Sequence, residues 1–496
     1  LNLLLRDRVA RLIWLVALLL RLAFAAEVHG NDLDLSHNDQ LDMVFLHRNA
    51  EKIADGDLRL TDPYLGNYTA IRTNLYGAER YDRLYGSATY VDSPGYLYFA
   101  AACEKIGRRS PYAIVLVQLL LDALGCGFVY VLARRTYGLA TARVALAAAA
   151  LCLECVAEAG FVLRESVIAF LVTGSVLALD EARVRGTIRS WWIAGLVFGA
   201  GWITKLSFSL FAPAIPLLVW LWTPAPRASA GARRLAAFAL GASLAVLPFA
   251  ARNVSLGVPP LRMSSTAMQI MANRNMAGYE GAAEHIDQKG VRAILDRSDD
   301  TLLGTWLAAV DTHPPGGYLR QLGRKTYYFW LGVDFWNNIR CSFLEKLSPI
   351  LALCVVRWSL LGPWTAIGLV LALALPSRRR STLHLVLAFL ALGVAAALVG
   401  GVYTRYRMIV EPIACVFFAA TIVDVASCLR ELGKARFPAG LALLAAALVF
   451  GWLLRNPQRP LTKRDLAGYV VGTWSNREKA RSYLLQRVAA SSAPDG

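Results

Sequence analysis

Nearly charge-free apolar runs recur along this chain from end to end, and they limit what it can fold into. A run of about 18 or more such residues reads as a helix that crosses a membrane. Apolar runs, several of them this long, lie near 12–26, 112–133, 140–157, 161–179, 191–206, 208–222, 235–251, 347–375, 383–399, 408–425 and 439–454. The expected fold class is an all-α polytopic membrane protein with about eleven transmembrane helices. Hydrophobic residues make up 56% of the 496 positions, which agrees with that class.

The net charge of +17 sits largely in short arginine clusters between the runs: Arg134-Arg135, then Arg183, Arg185 and Arg189, then Arg227, Arg233 and Arg234. Arg378-Arg379-Arg380 and Arg430, Lys434 and Arg436 continue the series. That is the positive-inside pattern of membrane proteins, and no nucleic-acid module accompanies it. Arg6, Arg8 and Arg11 precede the first run, which lacks a convincing cleavage site and is read as an uncleaved span. A cytoplasmic N-terminus then places every basic cluster in the cytoplasm. Two large segments, 27–109 and 252–345, and a tail at 455–496 fall on the extracytoplasmic side of a transmembrane domain covering 1–454. The expected location is the cytoplasmic (inner) membrane.

Within the first segment, 96–106 is apolar but too short to span, and reads as an interfacial helix with tyrosines at headgroup depth. The last residues, 489–496, read as a disordered end. Five of the eight cysteines, Cys126, Cys152, Cys155, Cys354 and Cys415, fall inside apolar runs. Cys152 and Cys155 have CxxC spacing without a second Cys or His pair nearby, so they read as small buried hydrophobes rather than zinc ligands.

Charges at the outer ends of spans carry the chemistry, because each costs about 2.5–3.5 kcal/mol at membrane depth. Glu158, Arg164 and Glu165 flank the hairpin between the third and fourth spans, and Lys205 ends the fifth. Tyr403-Thr404-Arg405-Tyr406-Arg407 fills the loop before the tenth. Each cation alone can be read as snorkelling to the interface. Together they suit an anionic lipid-linked substrate, since arginine binds phosphate bidentately and lysine adds a point charge. On the same side, the polar stretch 37–43 holds Asp39 and Asp42, which are either helix caps or catalytic acids. His37 and His47 flank them, so a divalent metal is conceivable there, but no ligand set supports one. Asp122 lies one turn from Gln118 and reads as a helix-packing contact. Asn67-Tyr68-Thr69 and Asn253-Val254-Ser255 match glycosylation sequons, a weak signal.

Several stretches resemble the polytopic GT-C glycosyltransferases, especially bacterial members of the protein O-mannosyltransferase and aminoarabinose transferase type. They are Leu41-Asp42-Met43 with Ala50 to Asp57, Pro94-Gly95-Tyr96-Leu97-Tyr98, Leu163-Arg164-Glu165-Ser166, Arg252-Asn253, and Arg405-Tyr406-Arg407 with Pro412. The resemblance extends to about residue 425. The family often has a tyrosine shortly after its first-loop aspartate, where this chain has Phe45-Leu46, and an arginine near the position of Lys205. The resemblance implies transfer of a sugar from a polyprenyl-phosphate donor to a lipid, glycan or protein hydroxyl, with inversion and no cofactor. Asp42 or Asp39 would be the base, with Glu165 and Arg164 orienting sugar or base. Lys205, Arg405 and Arg407 would neutralise the departing phosphate, and Glu158, Tyr403 and Tyr406 would complete the substrate site. Two other classes are compatible with the same residues: a transporter or flippase of a lipid-linked or anionic solute, and a non-catalytic envelope subunit.

Overall fold

A computed structural model describes residues 2–34, 41–65, 67–223, 228–279, 287–332, 338–374, 380–432, 462–474 and 477–490. Among these every regular element is helical, so the chain is an all-α polytopic membrane protein. Four described helices are long and apolar enough to cross a membrane: Arg8–Gly30, Pro111–Thr136, Ser229–Ser255 and Thr382–Gly400. The expected span at 439–454 lies outside the described residues, as do Asp39 and His37.

Pro111–Thr136 is the axis of the bundle. It packs against Arg8–Gly30, Leu139–Ala150, Glu165–Arg185 and Glu411–Leu432. Asp122 on this helix pairs with the fully buried Arg21 of the first helix at 2.7 Å, while Gln118 donates to the carbonyls of Ala159 and Phe161. Asp122 is thus a packing contact, as expected, but with an arginine from another span as its partner. A second tight pair is Ile188–Thr204 against Ala228–Ser255. A Cβ on Gly195 would stand 1.9 Å from the Phe238 carbonyl oxygen, and one on Gly241 2.1 Å from that of Trp192. Only glycine lets two helix backbones approach this closely.

Several expected elements are interrupted, each for a visible reason. The third run breaks at Leu151 and Cys152. There the Leu153 amide donates to the Val356 carbonyl at 2.8 Å and the Val356 amide to the Leu151 carbonyl at 3.1 Å, replacing bonds of a continuous helix. The short helix Leu153–Ala159 follows. The sixth run begins as a 3₁₀ turn, Leu206–Phe211, before Ala214–Trp222, and the eighth has a 3₁₀ turn at Leu351–Leu353 and becomes α-helical only at Trp358.

The stretch 96–106, expected to be interfacial, lies in the helix Pro94–Ile106, one face of which is packed into the protein. Tyr96 is fully buried and donates to Gln118 Oε1 at 2.6 Å, so its hydroxyl is satisfied inside rather than at headgroups. The tail expected from 455 onward contains two helices among its described residues. Helices Lys463–Trp474 and Glu478–Ala490 pack on each other, with Trp474 fully buried, and Arg477 donates to Asp34. Residues 489 and 490, expected in a loose end, belong to the second helix.

The two large segments are joined by Arg252, in the last turn of Ala228–Ser255. Its guanidinium lies 4.0 Å from the centre of the Tyr90 ring and donates to the carbonyls of Arg59 at 2.7 Å and Leu60 at 2.6 Å. The adjoining Asn253 is fully buried, donating to the Arg262 carbonyl at 3.0 Å, so its sequon offers no accessible acceptor.

Candidate functional site

Asp42 opens the helix Asp42–Ala54, whose N-cap residue is Leu41. Its carboxylate does not turn back to cap the helix. Oδ1 accepts from the Tyr68 hydroxyl at 2.7 Å, and Oδ2 accepts from Arg405 Nη1 at 2.6 Å and Asn338 Nδ2 at 3.1 Å. The Asp42 amide donates to Asn338 Oδ1 at 3.0 Å, so one asparagine grips both backbone and side chain. These contacts join residues from both large segments and from the loop before Glu411–Leu432. Burial alone would raise the Asp42 pKa, but the adjacent Arg405 charge and hydrogen bonds from Arg405, Tyr68 and Asn338 outweigh it. The carboxyl is therefore held well below the usual carboxylate range.

Glu165 and Lys205 form the neighbouring part of the cluster. Ile188–Thr204 ends where Lys205 becomes extended, and the next amide, Leu206, donates to Ser93 Oγ at 3.0 Å. Gly95 makes this junction possible, because a Cβ there would meet Thr204 Oγ1 at 2.8 Å. Lys205 Nζ stands 3.5 Å from Glu165 Oε1 and 4.9 Å from the centroid of the Tyr406 ring. Among the described residues neither carboxylate oxygen of Glu165 nor the ammonium of Lys205 makes a hydrogen bond. Arg164 pairs with Asp92 and lies 3.9 Å from Glu165.

Tyr406 is the point on which the positive charge converges. Burial would raise its pKa, yet Arg405, Arg274, Lys205 and Arg164 together bring it below its ordinary value. Arg405 lies 5.3 Å from the Tyr406 ring centre, and Tyr403 packs on Tyr406 with ring centres 5.5 Å apart. Arg274 covers the Tyr403 ring at 4.5 Å.

Of the residues expected from sequence, Asp42, Arg164, Glu165, Lys205, Tyr403, Arg405 and Tyr406 meet here. Arg407 does not, for it lies 6.0 Å from the Trp358 ring centre and within electrostatic reach of Glu411. Two residues apart on the helix Thr404–Arg407, the two arginines face opposite ways. Glu158 is buried in the short helix Leu153–Ala159. His47 is engaged elsewhere, with Nδ1 2.7 Å from Glu104 Oε1, and so points away from Asp42.

Four members of the cluster were not anticipated: Tyr68, Asp92, Arg274 and Asn338. Tyr68 supplies in space the tyrosine that Phe45-Leu46 lacks in sequence. Asp92 stands directly before Ser93-Pro94, a carboxylate at the entry of a helix, and that was a readable signal. Arg274 and Asn338 sit in polar surroundings with nothing local to mark them.

Comparisons with known proteins give the arrangement a context. Residues 91–251 match the family model for dolichyl-phosphate-mannose-protein mannosyltransferase, a range that includes Arg164, Glu165 and Lys205. No curated protein sequence matches the chain. The apo crystal structure of the Archaeoglobus fulgidus oligosaccharyltransferase is similar at a TM-score of 0.51 and 16% identity, over 96% of this chain and 59% of that one. The same protein in complex with Zn and sulfate gives 0.50 and 16%, over 96% and 57%. ArnT from Cupriavidus metallidurans bound to undecaprenyl phosphate aligns over 94% of this chain and 88% of that one, with 16% identity and a TM-score of 0.36. The chain spans about three-fifths of the length of the oligosaccharyltransferase, and the likeness is one of fold.

Proposed function

From the GT-C fold of this chain, we propose that it is an integral-membrane glycosyltransferase acting on a polyprenyl-phosphate sugar. The observation that carries this reading is the pairing of a hydrogen-bonded acid, Asp42, with a pocket of cations around Tyr406. Within that pocket Lys205 makes no hydrogen bond to any described residue. Buried ammonium groups are seldom left this way, since each unmet donor costs free energy. A phosphate seated between Lys205, Arg164 and Arg405 would satisfy those donors and stabilise the departing lipid phosphate.

Asp42 is the base. It accepts the proton of the acceptor hydroxyl as that oxygen attacks the sugar carbon from the side opposite the phosphate, which inverts the anomeric centre. At rest, Arg405 makes Asp42 a weak base. A bound donor phosphate competes for the same guanidinium, and loosening that ion pair raises the basicity of Asp42 when donor is present. Glu165 holds Lys205 and Arg164 in place and faces the sugar. The site opens on the extracytoplasmic face of the cytoplasmic membrane, and the acceptor is a lipid, glycan or protein hydroxyl.

The test is transfer by purified protein from a panel of polyprenyl-phosphate sugars, with wild type beside Asp42→Asn. Sugar release that depends on Asp42 is expected. Release that survives in Asp42→Asn moves the base to Asp39 or Glu165. No release from any donor, in protein with a cooperative melt, turns the reading towards a transporter of a lipid-linked solute.

A further inference from the structure

Glycosyl transfer leaves one polar cluster of the bundle without a role. Cys152, Cys155 and Glu411 are all buried, and their ligand atoms lie within 4.8 Å of one another. Glu411 Oε2 is 3.6 Å from Cys155 Sγ and 3.8 Å from Cys152 Sγ. Its other oxygen, Oε1, has no hydrogen-bond partner among the described residues, although Glu411 is 0% exposed. A buried carboxylate oxygen without a donor calls for a proton or a cation.

The distances, which suit thiols donating to Glu411 Oε2, suit a cation of definite geometry equally well. Tetrahedral zinc, with Zn–S about 2.3 Å and Zn–O about 2.0 Å, separates a sulfur and an oxygen ligand by about 3.5 Å. Both observed S···O distances fall within a few tenths of an ångström of that edge. The scaffold is also fixed before any ion arrives. Backbone bonds between 151–153 and Val356 hold the turn that carries Cys152, and Glu154 Oε1 accepts from the Trp358 amide at 2.9 Å. Sequence spacing gave no hint of a third ligand, because Glu411 comes from a helix more than 250 residues along the chain.

We propose that Cys152, Cys155 and Glu411 bind a zinc ion, with the fourth position open to Glu154 Oε2 or a water. Glu154 Oε2 lies 3.9 Å from Cys152 Sγ. Binding releases both thiol protons, and two thiolates with one carboxylate give −3 against +2 from zinc. With a water in the fourth position, the charge of Arg407, within electrostatic reach of Glu411, brings the site to neutrality. The ion ties the break after Leu139–Ala150 to the start of Glu411–Leu432, directly behind the loop that presents Arg405. The site is structural, and its existence does not depend on the glycosyltransferase reading.

The test is the zinc content of the full chain, purified in detergent from cells grown with zinc and then desalted. One zinc per chain is expected in wild type and in Cys103→Ser, a cysteine remote from the cluster. Less than about a tenth of that is expected in Glu411→Gln and in the double variant Cys152→Ser/Cys155→Ser. Cobalt(II) loading of the wild type gives a second readout, a thiolate-to-cobalt charge-transfer band, which needs no variant to fold. Wild type without zinc and without that band overturns the proposal, as does zinc retained in the double variant. A Cys152–Cys155 disulfide found by mass spectrometry of alkylated, unreduced protein overturns it as well.

Discussion

The two ends of the helix bundle carry similar residues and use them differently. At one end, Asp7 accepts from Arg143 at 2.8 and 3.0 Å and from the Tyr130 hydroxyl at 3.0 Å, besides capping its own helix. At the same end, Asp180 accepts from Arg135 at 2.8 Å, Arg183 at 2.7 Å and Thr382 at 2.9 Å. Both acids are saturated by the protein itself, so nothing is left for a ligand. At the other end, Glu165 and Lys205 face each other with no hydrogen bond from either charged group among the described residues, and four cations converge on Tyr406. Ion pairs that fasten helices fill their own valences, whereas a site keeps donors in hand for a substrate.

The contrast yields separable outcomes. Asp42→Asn should lower transfer per folded molecule by about 10²–10⁴-fold, the usual worth of a general base, far beyond what its lost ion pair with Arg405 takes from the melting temperature. Asp180→Asn should do the reverse: removing one partner of a buried ion pair costs about 3–5 kcal/mol. Its melting temperature should drop clearly, while transfer per folded molecule is retained. If Asp180→Asn instead abolishes transfer at unchanged stability, the two ends are not divided as described.

Lys205→Met is expected to raise the KM for donor by roughly 10–100-fold with a smaller change in kcat, since a hydrogen bond to a charged group contributes about 1.5–3 kcal/mol. Equal KM values in the two proteins would place the phosphate elsewhere. The smallest effect is on pH dependence. Asp42 has a folded pKa below its ordinary value near 4, so its contribution to stability is present above that value and lost as pH falls through it towards the folded pKa. Arg405→Gln removes much of the depression. Melting temperatures measured from about pH 6 to pH 3 should therefore fall less steeply in the variant than in wild type.

What could be read from the chain alone was the class of fold and the poles of the site. Charge-free runs must become helices in a membrane, because every backbone amide there needs an internal partner. Arg164, Glu165, Lys205 and Arg405 stood out because charge is costly at the ends of such runs. Breaks in the helices were not legible, since they arise from backbone bonds between distant segments such as 151–153 and Val356. Nor was the opposite facing of Arg405 and Arg407, which requires knowing that Thr404–Arg407 is helical.

Sequence by itself determined that this chain is a helical membrane protein with acids and cations gathered near the ends of its apolar runs. Only the tertiary structure decided which of those charges meet. Tyr68, Asn338 and Arg405 reach Asp42 from 26, 296 and 363 residues away, and Glu411 reaches Cys152 from 259. Local pattern carries the price of placing a charge in an apolar environment, but the identity of its partner is set by packing between helices that the chain order does not specify.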